Sequence, residues 1–484
     1  MYRQDMRWQL VATYNVLVPG VLSVCMKTDT AESLFYEANQ LLAGGQFAAA
    51  EDKLRLALQM EDGLAEVHAN LAWLMQQQGR FAEAEPTYQR ARQLAPEDTQ
   101  ISLNFGVMLA QQRRFDEAEH LYQLVLQLEP DSVFALSNLG VLLASTWREA
   151  EAEACYRQAL ELDPAYRKAS FNLAYLLLRL GRYAEGWYML EARDGLEVLD
   201  NCLSEEPDIF RWQGQDLSGK SIIILFESGH GDMIQFVRYA SLLKQRKAVS
   251  VSCLCHLQLK KLFTTMDGLD NVYGFDESIV FSDWDYWVPL LSLPGLFQTR
   301  LETIPASLPY LHGAPQVRQH WSNAMSVAGS SRRVGLVWKG NPGFENDADR
   351  SIHDLNVLQA LADIPGVHWF SLQKGAGEED ITASLMPQPI TALGADIHDF
   401  ADTAAILMQL DLLIAVDTAV AHLAGALGKH CWVMLPAYQT DWRWLKDRHD
   451  SPWYPDVMQL FRQTVPGDWS GVLQEVRSEL LKLI

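Results

Sequence analysis

The sequence predicts a solenoid of paired helices followed by two parallel α/β lobes, and three observations predict it. A short motif recurs in steps of 34 residues over the first third of the chain. Beyond about Cys202, strand-like apolar runs alternate with helical stretches. Those runs fall into two series divided by a connector. A length of 484 residues sets an expectation of two to three compact units. The expected boundaries are an N-terminal extension over 1–30, repeats over 31–197, a first lobe over 203–325 and a second over 330–484.

In the extension, Arg3 and Arg7 precede an apolar run from Leu10 to Cys25, the outline of an export signal. Leu22-Ser23-Val24-Cys25 has the outline of a lipoprotein cleavage site. Asn15, Pro19 and Gly20 interrupt the run, whereas a membrane span needs about 20 apolar residues. The expectation is a cytoplasmic chain without stable membrane insertion.

The repeat is written in small, aromatic and proline positions. Gly45-Gln46-Phe47 returns as Gly79-Arg80-Phe81 and as Arg113-Arg114-Phe115, in steps of 34 residues. Ala50, Ala84 and Ala118 follow, then Leu54, Tyr88 and Tyr122. Pro96, Pro130 and Pro164 close units, and Ala72, Gly106, Gly140 and Ala174 fall at the small position of each first helix. Small residues let paired helices approach, the aromatic wedges between them, and proline ends the second helix. This is the tetratricopeptide pattern, with about five units. The fourth departs from it at Trp147 and Glu149, and the fifth fades through Gly181-Arg182-Tyr183 into Gly186-Trp187.

Strands are expected at 221–226, 248–255, 272–275 and 286–291, and after a connector at 334–338, 367–372, 412–416 and 431–435. Two parallel sheets of this kind, with a cleft between them, form a GT-B type pair of Rossmann-like lobes. The last helix, from Trp469 to Ile484, is expected to pack back across the lobes.

Composition narrows the function. With 49% hydrophobic and 21% charged residues the chain is globular, and its net charge of −22 with no Lys/Arg run argues against nucleic acid and anionic membrane as partners. Six cysteines make no disulfide framework; Cys253 and Cys255 sit in a strand run without a second pair or histidines to complete a zinc site.

Three loops could carry chemistry. Ser228-Gly229-His230-Gly231-Asp232 follows the first strand of the first lobe, so Asp232 sits at the sheet's carboxyl edge. A carboxylate there can take a proton from an attacking hydroxyl or simply cap the helix. Asp417-Thr418-Ala419-Val420-Ala421-His422 follows a strand of the second lobe, and the free N–H groups of Thr418, Ala419 and Val420 suit a diphosphate. His422 lies one turn on and either reaches that pocket or is packed away. Trp338-Lys339-Gly340-Asn341-Pro342, with Arg350 beyond, places a cation at each end of a glycine-containing loop. Arg350 can clamp a diphosphate bidentately. Asp283-Trp284-Asp285 and Asp347-Ala348-Asp349 match a short D-x-D metal motif, but three-residue matches are weak and no metal is expected. Trp442, Trp444, Trp453 and Tyr454, mixed with Arg443 and Arg448, are either a sugar-stacking platform or core.

Together the repeats and the segments Gly231–Tyr239, Gly335–Pro342 and Asp417–Gly425 resemble bacterial tetratricopeptide-repeat glycosyltransferases. That group is similar to O-GlcNAc transferase in layout and to the lipopolysaccharide heptosyltransferases in its catalytic module. The resemblance implies an inverting, metal-independent enzyme that uses a nucleotide sugar and no cofactor. It maps a general base onto Asp232, with His230 as the competing position. It maps the residue that holds donor phosphate onto Arg350 and the phosphate-binding helix start onto Thr418, Ala419 and Val420, with His422 nearby, and nucleoside contacts onto Gln373 and Lys374; Lys339 and Asn341, in the loop that leads to Arg350, are expected to face the same phosphate. Some members glycosylate flagellin, which makes a protein acceptor recruited by the repeats the expected partner. A lipopolysaccharide enzyme and an inactive repeat scaffold are the alternatives.

Overall fold

The computed structural model describes residues 30–203, 209–326, 331–344, 346–380 and 390–484. The expectations placed on residues 1–29 lie outside the described residues. Two compact units divide the chain between Leu173 and Ala174.

The first unit is built from antiparallel helix pairs: Ala31–Ala43 with Phe47–Met60, Ala65–Gln77 with Phe81–Leu94, Thr99–Gln111 with Phe115–Leu128, and Val133–Ser145 with Glu149–Leu162. A fifth pair, Arg167–Arg179 and Tyr183–Leu190, straddles the division. Each first helix ends in a left-handed residue: Gly45, Gly79, Arg113, Trp147 and Gly181 all have φ between 62° and 75°. The turn geometry therefore persists where arginine or tryptophan replaces the glycine that the conformation favours. Gly106 and Gly140 are required for a different reason. A Cβ there would lie 2.6 Å from the Tyr122 ring and 2.5 Å from the Tyr156 ring.

A charged ladder with the same period runs along the solenoid. Arg80 donates to Glu51 and Glu83, Arg114 to Glu85 and Glu117, and Arg148 to Glu119 and Glu151, at 2.7–2.8 Å. Each arginine stands just before a second helix and ties it to the preceding unit. The glutamates of the same helix are exposed and those of the preceding unit half-buried, so each pair contributes modestly.

The second unit contains two wholly parallel sheets. In the first lobe, β1 (Phe210–Arg211), β2 (Ser221–Leu225), β3 (Ser250–Cys255), β4 (Asn271–Gly274) and β5 (Tyr286–Pro289) lie in the order β1-β5-β2-β3-β4. In the second, β6 (Arg332–Val337), β7 (Val367–Ser371), β8 (Ile390–Ala392), β9 (Leu412–Val416), β10 (Cys431–Leu435) and β11 (Met458–Arg462) lie in the order β11-β10-β9-β6-β7-β8. The edge strands β1, β8 and β11 add to those the sequence predicts. Chain order reverses on either side of β2 and of β6. In open parallel sheets such switch points open a crevice at the carboxyl ends, where ligands bind.

The last helix, Ser470–Leu483, corrects an expectation. Its buried stripe of Val472, Leu473, Val476 and Leu480 joins Val334, Leu336, Trp369, Ile414 and Phe461 in the core of the second lobe. It does not cross back over the cleft, because it follows β11 by a short loop and its apolar face meets the adjacent sheet.

Candidate functional site

β2 runs into the loop that carries Asp232. Glu227 is buried in an ion pair with Arg193 at 2.8 Å and accepts the Leu291 N–H at 3.1 Å, which fixes the strand end. Ser228 then takes φ +70°, unusual for a residue with a side chain, and helix His230–Phe236 begins. Asp232 Oδ2 accepts the Gly229 N–H at 3.2 Å, so the capping role is real. Its other oxygen, Oδ1, accepts from Arg443 of the second lobe.

The His230 ring lies tilted by 35° against His256 at 4.5 Å and against Phe400 at 5.2 Å. Burial, helped by the neighbouring His256, pushes its pKa down to about 4, and Nε2 is buried without a hydrogen-bond partner. At neutral pH the ring is therefore an uncharged, weak base.

Across the cleft, β9 delivers Asp417 and Thr418 to the start of helix Ala419–Ala426. The first intrahelical donors are Ala421 and His422, both to Thr418 O, at 3.1 and 3.3 Å. The Ala419 and Val420 amides precede them, and Thr418 Oγ1 is buried with no partner. Small side chains and unused donors at a helix start make a place for an anion. Gly231 brings the two helices together: a Cβ there would sit 3.1 Å from His422 Cδ2.

His422 is packed rather than exposed to the crevice. Its Nδ1 lies 2.9 Å from Tyr454 Oη and its ring stacks on Trp444 at 5.1 Å. Burial, then the adjacent Arg443, pushes its pKa down to about 3. Asp417 approaches Nε2 only to 3.9 Å, too far to hold a proton there, so the contact is not an ion pair at neutral pH.

The loop after β6 arranges the remaining candidates. Arg350 donates to Asp347 at 3.2 Å and lies 5.1 Å over the Phe344 ring. Ser351 Oγ ties the loop, accepting from Gly340 N–H and donating to Asp347, each at 2.9 Å. Asn341 is exposed and accepts the Gly343 N–H at 3.0 Å, which shapes the turn. Lys339 pairs with Asp380 at 2.5 Å.

Gln373 corrects the expectation for its side chain. Its Oε1 accepts from Trp338 and Lys339 N–H at 3.1 and 3.0 Å, and its Nε2 donates to Lys339 O and Ala376 O at 3.2 and 2.8 Å. The amide braces the loop after β6 and leaves little for a nucleoside, whereas Lys374 beside it is exposed. Of the acidic triplets, Asp285 is held by Lys220 and Ser221, and Asp347 by Arg350 and Ser351. Among the described residues no group of three His, Cys, Asp or Glu is placed to hold a metal ion.

Arg443 is the residue that sequence reasoning passed over. It bridges Asp232 and, at 2.8 Å, Asp441, and it lies 4.9 Å over Trp442. Burial opposes its charge, but Asp441 and Asp232 carry its pKa upward. Gln439 and Leu445, in the same loop, hold φ of +51° and +55°. Strained non-glycine backbone of this kind gathers at functional sites. The aromatic cluster is core: Trp444, Trp453 and Tyr454 are all at most 1% exposed.

Comparison with known proteins adds the following. Residues 69–133 and 133–166 match the tetratricopeptide repeat family. The chain is similar to Protein FlbA of Caulobacter vibrioides, 28% identical over 324 residues, which cover 62% of this chain and 53% of that relative. The chain thus spans about half the length of the curated relative it matches. Among solved structures, a glycosyl transferase family 9 protein from Veillonella parvula aligns with a TM-score of 0.42 and 12% identity, over 56% of this chain and 97% of its own. PilF of Pseudomonas aeruginosa aligns with a TM-score of 0.32 and 20% identity, over 37% of this chain and 91% of its own. No helix among the described residues is long and apolar enough to cross a membrane. The chain is a tetratricopeptide-repeat solenoid joined to a pair of parallel α/β lobes.

Proposed function

We propose that this chain is an inverting glycosyltransferase that moves a sugar from a nucleotide donor to a Ser/Thr hydroxyl of a protein acceptor, without a metal ion. One observation carries the reading: Asp232, at the switch point of one sheet, pairs with Arg443 of the other lobe, and its helix packs against the helix start that follows β9 at the other sheet's switch point. The acceptor oxygen attacks the anomeric carbon as its proton passes to Asp232. The bond from that carbon to the phosphate oxygen breaks, and its electron pair leaves on the nucleoside phosphate. Arg350 and the Ala419 and Val420 amides stabilise that developing charge, each preorganised before the reaction. The repeats hold the polypeptide, and flagellin is the acceptor the family resemblance brings forward.

The test is incubation of the full chain with a panel of UDP-, GDP-, ADP- and CMP-sugars, followed by donor hydrolysis and thermal shift. At least one donor is expected to stabilise the protein and to be hydrolysed slowly, in EDTA as in its absence. Loss of turnover in chelator, restored by manganese, would overturn the metal-independent mechanism. Transfer to a lipopolysaccharide core with none to protein would overturn the acceptor.

A further inference from the structure

In this cleft the guanidinium groups already have carboxylate partners. Arg350 is held by Asp347, which Ser351 also ties down. Arg443 differs. It comes from the second lobe, 211 residues beyond Asp232, and its pair with Asp232 spans the crevice in which donor and acceptor must meet. The arginine is 7% exposed, yet its Nε is buried without an acceptor. A guanidinium offers five N–H donors in a planar fork that fits phosphate as well as carboxylate. Thr418 Oγ1, at the facing helix start, is likewise buried and unpartnered. Gly231, next to Asp232, abuts that helix start: a Cβ on it would lie 3.1 Å from His422 Cδ2 and 3.6 Å from Ala419 Cα.

We propose that Arg443 is an anion-binding residue of this cleft, and that Asp232 occupies it until the donor phosphate displaces that carboxylate. The proposal rests on the nucleotide-sugar reading above. Asp441 of the same loop holds one end of the guanidinium at 2.8 Å, which leaves the other end to be matched by a second anion. With the cleft empty, Asp232 is that second anion, and both of its oxygens are engaged, one by Arg443 and one by the Gly229 N–H. When a nucleoside phosphate arrives, Arg443 exchanges one anion for another and stays paired. Asp232 loses its partner and turns to the acceptor hydroxyl. Donor loading and release of the base become one event, so the donor binds first and water is not activated in the empty cleft.

Calorimetry on the full chain tests this with pyrophosphate and with UDP, GDP and CMP as probes. Asp232→Asn removes the competing carboxylate, and it is expected to tighten anion binding by about fivefold or more, in the range of ordinary coupled equilibria. The gain is expected to vanish when Arg443→Gln is already present, because the two residues then have nothing to exchange. Arg443→Lys, which keeps the charge but not the fork, is expected to weaken binding while the unfolding midpoint confirms a folded chain. Two results would overturn the proposal: unchanged or weaker affinity in Asp232→Asn, or equal tightening with and without Arg443, which would report only the loss of a negative charge. Wild-type protein that binds none of the probes removes the donor reading and the proposal together. Wild-type binding that Arg350→Ala weakens and Asp232→Asn leaves alone removes the proposal and keeps the donor site.

Discussion

At the scale of single residues, the proposed reaction turns on which group takes a proton. Asp232 faces the second lobe, whereas His230 is a neutral ring whose pKa is pushed down to about 4 by burial. Asp232→Asn is therefore expected to cut transfer by at least about a hundredfold, the ordinary worth of a positioned base. His230→Ala is expected to cost much less, and rates of both variants against donor binding check the assignment. The reverse ranking would return Asp232 to its cap on Gly229. Asp232 and the Thr418 helix start were legible in the sequence, because each is a loop placed directly after a strand. Arg443 was not: its partner is 211 residues away and its neighbours Trp442 and Trp444 read as an aromatic patch. Gln373 was placed correctly at a strand end, but position along a strand says nothing about which way an amide turns. A second expectation follows from His230 and His422, held near 4 and near 3 against 6.5 for a free ring. The unfolded chain binds protons at these sites that the folded chain refuses. Stability from the neutral rings is thus fully present above about pH 6.5 and is lost as pH falls toward those lower values. Unfolding midpoints are expected to fall between pH 6.5 and 4, less steeply in His422→Gln.

At the scale of elements, the repeats were the most legible part of the chain, since a 34-residue period repeats every packing requirement. Most strands of both lobes were legible as apolar runs, but β1, β8 and β11 were not; β1 and β8 are only two and three residues long at sheet edges, and β11 (Met458–Arg462) mixes polar and apolar residues. The direction of the last helix was missed because amphipathicity shows that a helix packs, not against what. The period also yields a test. Gly140 has the conformation of an ordinary helix residue, so alanine there gains about 1 kcal/mol in helix propensity. Its Cβ, however, would meet the Tyr156 ring at 2.5 Å, and the ring is fully buried. Forcing extra volume into a packed core costs about 1–3 kcal/mol. Gly140→Ala is therefore expected to lower the urea midpoint at unchanged slope, and Tyr156→Leu in the same chain is expected to restore part of the loss. An alanine variant more stable than the parent would show that the helices separate freely.

At the scale of the whole molecule, the division of labour in the chain is not where composition puts it. Strand-like sequence begins beyond Cys202, which is why 203 is the natural boundary to draw from sequence. Structurally, the unit of the two lobes begins at Ala174. Helix Tyr183–Leu190 keeps the repeat's outline, yet its side chains lie in the core of the lobes. Tyr183 stacks on Trp453 at 6.0 Å, and Trp187 packs edge-on against Trp442 at 5.3 Å and Phe236 at 6.5 Å. Trp187 Nε1 donates to Thr299 O at 2.9 Å. Farther on, Arg193 is the buried partner of Glu227, the residue that ends the strand before the Asp232 loop. A chain that starts at Leu203 loses all of these. It leaves Glu227 as an unpaired charge in a site 4% exposed, and breaking such a pair from one side costs about 3–5 kcal/mol. Two buried aromatics are lost with it, each worth about 3–5 kcal/mol when removed from a core. Those losses together rival the whole stability of an ordinary domain, about 5–15 kcal/mol. A chain starting at Leu203 is thus expected to aggregate or to melt without a cooperative transition. A chain starting at Pro164 keeps helix Arg167–Arg179 whole, and it is expected to unfold cooperatively and to match the full protein in the nucleotide binding proposed above. Circular dichroism melts and calorimetry on the two chains decide between them. If the shorter chain melts cooperatively at the same temperature as the longer one, Tyr183, Trp187 and Arg193 belong to the solenoid after all, and the lobes stand without them.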